Sequence, residues 1–335
     1  MKKRPTIGDV AKAAGVSPAT VSRVLNRKRK FRATPEVRQR IVDTARDLGY
    51  VPDLAARTLT SGATRIVGVF TSPFAHFSEG INDALMEGIG GVLHSANFDV
   101  FYELSSAVEK AHSIPFWRFD GAILLQVPSA RTVAELDRRG VPYICINEKI
   151  GHPDAYVLAD DAQGMKHAME HLAQLGHTRV AYANASTFYF DHYSVSERYG
   201  MLIKGAREHQ IELVSGHDTP FSSAAIFLRE AVVDGGATGV ISYDHQIATA
   251  LVGASYELGL RIPHDFSLIC FNDLFPVKLL PPPLTAIAVA GQEMGRMGAD
   301  LLLSSLSKTR PTKPRLIRVP ESLVVRASTA PPKRA

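Results

Sequence analysis

The sequence has little cysteine and no long hydrophobic run. Only Cys145 and Cys270 occur among its 335 residues, and both lie inside apolar, strand-like runs. Neither a disulfide framework nor a cysteine metal site is therefore expected. Apolar runs such as RIVGVF and GAILL are far too short to span a bilayer, and MKKRPTIGDV lacks the apolar segment of a secretion signal. These absences predict a protein without membrane contact that stays in the cytoplasm.

Positive charge is concentrated at one end of the chain. Residues 1–62 hold 14 Lys and Arg against 5 Asp and Glu, whereas the remainder holds 24 against 28. The length exceeds that of a usual single domain, and the 45% hydrophobic content suffices for a large core. A small basic domain joined to a larger, slightly acidic one indicates an anion-binding region and a region with a different task.

The first 50 residues, called the head below, predict three short helices. Thr6 can cap the first helix, with Asp9 three residues on, and Gly15 ends it. The third helix begins at Thr34 and ends at Gly49. The apolar residues at helical spacing in this third helix are Val37, Ile41, Val42, Ala45 and Leu48.

The second helix has the pattern of a DNA-recognition helix. Ser17 can cap it, Pro18 fits its first turn, and it runs to about Asn26. Two short helices joined by a tight glycine-containing turn form a helix-turn-helix, whose second helix enters the DNA major groove. At helical spacing, the side chains of Val16 and Val21 point inward, and so does that of either Val24 or Leu25. The residues left outward or at the rim are Pro18, Ala19, Thr20, Ser22, Arg23 and Asn26.

The outward residues carry chemistry suited to DNA. Arg23 can hold guanine O6 and N7 with its guanidinium fork, and Thr20 and Ser22 suit phosphates or base edges. Pro18 and Ala19 can meet a thymine methyl group. Phosphate contacts are expected from the basic residues that follow, Lys28, Arg29, Lys30 and Arg32. The alternative is a small helical bundle with a solvated basic loop.

These segments resemble the LacI/GalR (lactose-repressor) family of bacterial transcriptional regulators. The resemblance rests on TIGDVAKAAGVSPATVSRVLN and TPEVRQRIVDTARDLGYVPDLAARTL, and it continues through DDAQGMKHAMEHLAQLGHTRVAY, SYDHQIATALVGASYELGLRIPHDFSLICFNDL and PPPLTAIAVAGQEMGRMGADLLL. Nearly the whole chain is covered. The resemblance implies a regulator that is not an enzyme and needs no cofactor or metal. Its implied partners are a pseudo-palindromic operator in double-stranded DNA, a sugar-like effector, and a second copy in a homodimer or tetramer at the nucleoid.

The residues expected to contact DNA combine the helix pattern with this resemblance. They are Thr6, Ser17, Pro18, Ala19, Thr20, Ser22, Arg23, Asn26, Arg29, Tyr50, Ala56, Arg57 and Leu59.

Residues 51–63 form a predicted hinge between the two domains. PDLAARTLT contains a short helix candidate that would be marginal in water by itself. The resemblance implies that it pairs with its copy in a dimer and that Leu59 wedges between base pairs in the minor groove, with Arg57 and Ala56 alongside. The alternative is an ordinary linker whose Leu59 packs on the larger domain.

Residues 64–330, called the body below, predict an α/β fold because strand-like runs alternate with helical segments. The runs are 66–71, 100–104, 122–126, 143–146, 180–183, 240–242 and 268–271. The resemblance implies two doubly wound parallel-sheet subdomains like those of type 1 periplasmic sugar-binding proteins. They comprise about 64–158 with 290–320, and about 159–289 with 321–330. The tail, 331–335 within TAPPKRA, is expected to be disordered.

A ligand of such sheets lies beyond the carboxyl ends of the strands. The side chains there are Pro73, Phe74, His76, Gln126, Asn147, Tyr243, Asp244, Asn272 and Asp273, which suit a polyhydroxylated ligand. The resemblance adds Arg198 and Phe221. Tyr243 and Asn272 stand where relatives usually have Asn and Asp, so no relative's ligand can be assumed. The aromatic stretch TFYFDHYSV, residues 187–195, could line a glycoside site or belong to a core or interface.

Other functions were weighed against regulation by a sugar. His167-Ala168-Met169-Glu170-His171 matches the H-x-x-E-H zinc-protease pattern, but no third ligand has suitable spacing, so His171 and His177 are expected to cap or pack. A purine or other non-sugar effector is the alternative within the regulator class. Outside this class, the alternative is a small-molecule enzyme on a Rossmann-like sheet.

Overall fold

The computed structural model describes residues 5–25, 33–51, 63–71, 80–104, 118–125, 130–187, 192–214, 218–307 and 311–333. The chain divides into two compact units, Met1–Thr64 and Arg65–Ala335.

The head contains three helices within its described residues: α1 (Ile7–Ala14), α2 (Pro18–Leu25) and α3 (Pro35–Asp47). The Thr6 side chain accepts a hydrogen bond from the Asp9 amide, and the Asp9 carboxylate accepts one from the Thr6 amide at 2.8 Å. This reciprocal capping box starts α1, and Gly15 ends it in a left-handed conformation. The predicted cap and end of the first helix are therefore confirmed.

All three helices of the head contribute to one small core. Val10, Val21, Val24 and Ile41 are buried within it. Val42 and Leu48, also among the apolar residues at helical spacing, lie outside this core and are 43% and 41% exposed. Val42 follows Ile41 by one residue and is rotated by about 100° from the buried stripe, since a helix has about 3.6 residues per turn. α3 ends at Asp47, so Leu48 is its C-cap.

Two six-stranded sheets form the centre of the body. The first sheet has the order β11-β5-β4-β3-β1-β2, and the second has the order β12-β10-β9-β8-β6-β7. The strands of the first sheet are β1 (Ile66–Thr71), β2 (Asp99–Leu104), β3 (Gly121–Leu125), β4 (Tyr143–Ile146), β5 (Ala155–Ala159) and β11 (Arg315–Val319). Those of the second are β6 (Arg179–Ala183), β7 (Glu212–Leu213), β8 (Gly239–Ser242), β9 (Ser267–Phe271), β10 (Thr285–Ala288) and β12 (Ser322–Val324).

Helices cover these sheets, as the alternation of strand and helix signals predicted. They are α4 (Ile81–Ser95), α5 (Ala130–Arg139), α6 (Asp161–Leu175), α7 (Tyr193–Glu208), α8 (Ala224–Leu228), α9 (His245–Glu257) and α10 (Gly291–Ser305), with a π-helical segment at Arg229–Asp234. Central strands such as β3, β4 and β9 are buried throughout, which requires their continuous apolar runs. The predicted α/β class is confirmed.

Each sheet, together with the helices packed on it, forms one half of the body. The chain passes between these two halves at more than one point. β5 belongs to the first sheet, whereas α6, which follows it directly, packs in the core of the second. β11 pairs in parallel with β5, and β12, two residues later, pairs antiparallel with β10 of the second sheet. Residues 320–321 therefore connect the halves.

α4 and α10 pack closely against each other on one face of the first sheet. A methyl group at Gly88 would lie 2.0 Å from the carbonyl oxygen of Gln292, and one at Gly295 would lie 2.1 Å from that of Leu85. Only glycine permits this approach of the two backbones.

The predicted disorder of TAPPKRA is wrong for residues 329–333. The Thr329 hydroxyl bonds to His171, the Ala330 amide donates to Ser267, and Lys333 pairs with Asp265 at 2.6 Å. These polar contacts offset the low apolar content of the segment. Residues 334–335 lie outside the described ranges.

Candidate functional site

The outward face of α2 presents polar and small side chains to solvent. Ser17, Pro18, Ala19 and Arg23 are exposed, and Thr20 and Ser22 are half-buried. The Ser17 hydroxyl accepts from the Thr20 amide at 3.2 Å and bonds to the Thr20 hydroxyl at 2.9 Å. Ser17 thus caps α2 as predicted, and Val21 and Val24 are buried on the opposite face.

The head core and a long-range hydrogen bond of Arg40 hold this face in place. Arg40 of α3 donates from Nε to the carbonyl oxygen of Ala14 at 3.1 Å, which ties α3 to the end of α1. Thr6 is occupied as the cap of α1, and half-buried Tyr50 packs on the head core. The other residues predicted to contact DNA, Asn26, Arg29, Ala56, Arg57 and Leu59, lie outside the described ranges.

In the body, Arg198 lies at the centre of a buried cluster. Its Nε donates to the Asp161 carboxylate at 2.6 Å, and its Nη1 donates to the backbone carbonyl of Tyr243. The guanidinium lies 3.9 Å from the ring centre of Phe271 and 4.7 Å from that of Tyr243, distances typical of cation–π contacts. We call Arg198, Asp161, Tyr243 and Phe271 the Arg198 cluster.

Burial and charge oppose each other at this cluster. Burial lowers the pKa of Arg198, but the Asp161 carboxylate and neighbouring ionisable groups outweigh this effect and raise it. Burial also raises the pKa of Tyr243 to about 12. Arg198 is therefore charged, Tyr243 is neutral at pH 7, and Asp161 supplies the charge that compensates the guanidinium.

A chain of hydrogen bonds joins Tyr243 to Asn147, which follows β4 in the first sheet. The Tyr243 hydroxyl lies 2.7 Å from the Ser194 hydroxyl, which lies 2.7 Å from His192 Nδ1. His192 Nε2 lies 3.0 Å from the Asn147 carbonyl oxygen, which can only accept, so Nε2 carries the hydrogen. The Tyr193 hydroxyl donates to Asn147 Oδ1 at 3.0 Å. The first turn of α7 therefore bridges the two halves of the body.

A salt bridge adds to this connection. Arg318 of β11, in the first sheet, forms a bidentate pair with Glu197 of α7. Since Glu197 directly precedes Arg198, a shift of α7 would act on the bridge and the cluster together.

Among the remaining predicted ligand residues, Asp244, Asp273 and Phe221 have structural partners. Asp244 caps α9 by accepting from the Ile247 amide at 2.7 Å, and Asp273 binds Arg326 through two hydrogen bonds of 2.8 and 2.7 Å. Phe221 is half-buried and packs on the core of the second sheet. Asn272 holds a left-handed backbone with φ 67° directly after β9. Pro73, Phe74, His76 and Gln126 lie outside the described residues.

Asp161 and Glu321 were not predicted from the sequence, and no individual roles were predicted for His192 and Tyr193. The last two belong to the aromatic stretch 187–195, whose position before Arg198 was the available signal. No sequence pattern pointed to Asp161 or Glu321. Their proximity to Arg198 arises only because the chain crosses between the halves.

His171 of the H-x-x-E-H pattern and His177, which lies outside the pattern, both have hydrogen-bond partners. His171 bonds to Thr329, and buried His177 bonds to Thr238 and Ser267, so the expectation that both pack or cap is confirmed. Within the described ranges, no group of three or more potential ligands is placed to hold a metal ion. No helix in this part of the chain has both the length and the apolar character needed to cross a membrane.

Family models match both regions of the chain. Residues 6–53 match the model for bacterial regulatory proteins of the lacI family, and residues 169–329 match the model for a periplasmic binding protein-like domain.

The chain is also similar to whole regulators. It is 27% identical to the HTH-type transcriptional regulator CelR of Thermobifida fusca, over 98% of this chain and 99% of that protein. It is 27% identical to the HTH-type transcriptional repressor PurR of Mannheimia succiniciproducens, over 96% of this chain and 98% of that protein.

Solved structures share the fold. The lac repressor dimer bound to operator and the anti-inducer ONPF superposes with a TM-score of 0.77 at 22% identity, covering 98% of this chain and 100% of that one. A transcriptional regulator CelR–cellobiose complex gives a TM-score of 0.66 at 24% identity, covering 97% and 100%. The helix-turn-helix head, the two parallel sheets and these matches agree, and the chain belongs to the LacI family of DNA-binding transcriptional regulators, which are not enzymes.

Proposed function

We propose that the protein represses carbohydrate-use genes and that a sugar-like effector, bound between the halves of the body, changes its affinity for the operator. As a homodimer it would place two copies of α2 on a pseudo-palindromic site. A regulator of chromosomal genes acts on DNA in the cytoplasm, at the nucleoid. Effector and operator would influence each other through one coupling free energy.

The outward face of α2 carries the DNA-binding part of this proposal. Its buried valines fix the helix, while exposed Arg23, Ser17 and Ala19 point away from the core. We assign these residues, together with Pro18, Thr20 and Ser22, to base and phosphate contacts. We also assign Leu59 to a minor-groove wedge, so Leu59→Ala should weaken specific binding more than nonspecific binding.

The sugar effector is supported by the chemistry of the Arg198 cluster, and a solved transcriptional regulator CelR with a similar fold is a complex with cellobiose. The Arg198 guanidinium and the Tyr243 hydroxyl meet aromatic rings there, and the Asn147 amide lies at the other end of the hydrogen-bond chain, a combination that suits polyhydroxylated ligands. A ligand that bound Asn147 would compete with the His192 and Tyr193 contacts that join the start of α7 to the first sheet. This competition gives effector binding a direct route to the angle between the halves.

A thermal-shift panel tests the class of effector. Cellobiose, other mono- and disaccharides, and purine bases are added to the purified full chain, because a bound ligand stabilises the folded state by mass action. We expect a sugar to raise the melting temperature and to change operator affinity. Stabilisation by purine bases and by no sugar would contradict the sugar assignment and favour the alternative suggested by the PurR relative.

A further inference from the structure

Glu321 lies on the two-residue connection between β11 of the first sheet and β12 of the second. Its side chain is only 2% exposed. Because the chain passes from one half to the other here, a change in the angle between the halves acts on the backbone of this residue. A buried acid is thus built into a crossover of the body.

The surroundings of the Glu321 carboxyl group offer it little compensation. Neither oxygen has a hydrogen-bond partner among the residues that the structure describes. One oxygen lies against the backbone of α6 at Gly164, where Ile287 of β10 and Phe271 of β9 are also close. An ionised carboxylate is strongly disfavoured in such surroundings, so such a group normally becomes neutral.

The charged groups that face Glu321 come from α6 and α7. Asp160 and Asp161, at the start of α6, repel a second negative charge, and Arg198 of α7 attracts it. Arg198 already binds Asp161, so one cation serves two buried carboxyl groups. Burial and then the Asp161 charge raise the pKa of Glu321 to about 8.

Two further groups on neighbouring elements leave this balance unchanged. Tyr193 of α7 is neutral, because burial and the nearby Asp161 charge raise its pKa well above the ordinary value. Arg318 of β11 is paired with Glu197. Neither Tyr193 nor Arg318 therefore supplies a positive charge that would stabilise an ionised Glu321.

We propose that Glu321 is a proton-linked hinge group, which holds a proton while the crossover is buried and releases it when the halves separate and water enters. The O–H bond of the carboxyl group breaks, and the proton passes to water. Separation and deprotonation therefore favour each other, and alkaline pH favours the separated arrangement. This inference goes beyond the proposed function, and its tests need neither operator nor effector.

Unfolding equilibria of the full chain between pH 5 and 9 give the first test. A carboxyl group whose pKa is higher in the folded state stabilises below the unfolded value and loses this contribution as pH rises to the folded value. The unfolding constant of the wild type should rise relative to that of Glu321→Gln by up to about tenfold per pH unit between about 4.5 and 8. The exposed control Glu257→Gln should follow the wild type. Parallel profiles for Glu321→Gln and the wild type would overturn the proposal.

Infrared spectroscopy tests the proton itself. The wild type should show a protonated-carboxyl band at pH 7 that is lost on alkaline titration and is absent from Glu321→Gln. Absence of this band from the wild type at pH 7 would overturn the proposal, even if the variant fails to fold.

Hydrogen exchange tests the link to the hinge. Peptides covering 155–161 and 318–324 are followed at pH 7 and 9, with correction for the intrinsic pH dependence of exchange. Alkaline pH should speed exchange in the wild type several-fold more than in Glu321→Gln. Equal acceleration in both proteins would contradict proton-linked separation.

Discussion

The outward face of α2 and the Arg198 cluster use the same kinds of side chain in opposite surroundings. Arg23 and Ser17 of α2 are exposed, whereas Arg198 and Asp161 are 5% and 1% exposed. Exposed ion pairs contribute about 0–1 kcal/mol, but removal of one partner of a buried pair costs about 3–5 kcal/mol. Substitutions on the outward face of α2 are therefore expected to have little effect on folding, whereas substitutions in the Arg198 cluster should destabilise the body.

This difference fits two tasks. DNA recognition needs side chains that are ready to meet base edges on a fixed helix, and the capped and packed α2 supplies them. An allosteric response needs groups whose partners differ between two arrangements. Asn147 follows a strand of the first sheet and binds His192 and Tyr193 at the start of α7, so a change in the angle between the halves acts on these contacts.

The largest effect on stability is expected from Arg198→Ala. Removal of the guanidinium leaves the Asp161 carboxylate buried without its partner, which should lower the free energy of unfolding by about 3–5 kcal/mol. Urea denaturation measures this loss. Arg207→Ala, an exposed position of the same helix, should change stability by less than about 0.5 kcal/mol. A loss below about 1 kcal/mol for Arg198→Ala would show that the cluster does not contribute as a buried pair.

Arg23→Ala should separate binding from folding. We expect operator affinity to fall by about 1–3 kcal/mol, because a bidentate contact with guanine is lost, while the free energy of unfolding stays unchanged. Fluorescence anisotropy at one fixed salt concentration measures the affinity. Arg46→Ala, which removes an exposed charge from α3, is the matched control. Equal affinity losses in the two variants would indicate a nonspecific charge effect.

Acid should weaken the body through buried His177. Burial lowers the pKa of His177, so its contribution to stability is complete above the unfolded pKa of about 6.5 and is lost as pH falls below it. The expected loss is at most about 1.4 kcal/mol per pH unit from this group. The head contains no histidine.

Native-state hydrogen exchange can compare the two regions between pH 7 and 5.5. Opening of the second sheet should become easier with acid in the wild type and in the exposed control His209→Gln, but less so in His177→Gln. If the second sheet responds to pH equally in all three proteins, His177 is not the cause of that response.

The smallest effect is expected from Thr6→Ala. Loss of the capping box should destabilise α1 by about 1 kcal/mol without affecting the body. Faster amide exchange in α1 would report this loss, and Thr6→Ser should restore most of the protection. If α1 exchange is unchanged in Thr6→Ala, the cap does not limit opening of the head.

Much of the head could be predicted from sequence because its signals are local. A cap such as Thr6, a first-turn proline such as Pro18 and the spacing of Val21 and Val24 each act within one or two turns. Val42 shows the limit of this reasoning, since an apolar residue next to the stripe looks the same in sequence as one within it. The sequence signals for the seven predicted strand runs were also local, because buried central strands are continuous apolar segments.

The polar contacts of the body could not be predicted because they join distant parts of the chain. Asp161 and Arg198 are 37 residues apart, and Asn147 and Tyr193 are 46 apart. Asp273 was expected to face a ligand, but its carboxylate binds Arg326. The short strands β7 and β12, with two and three residues, carry too few positions for a periodic pattern.

Operator selection tests the central claim most directly. Fragments of the source genome are selected on the purified full chain, and the enriched site is titrated by anisotropy with the wild type and Arg23→Ala at one salt concentration. The account predicts enrichment of a pseudo-palindromic site that the variant binds about 5- to 150-fold more weakly. Failure to enrich any fragment, or equal binding of the site by both proteins, would contradict the claim that α2 reads DNA.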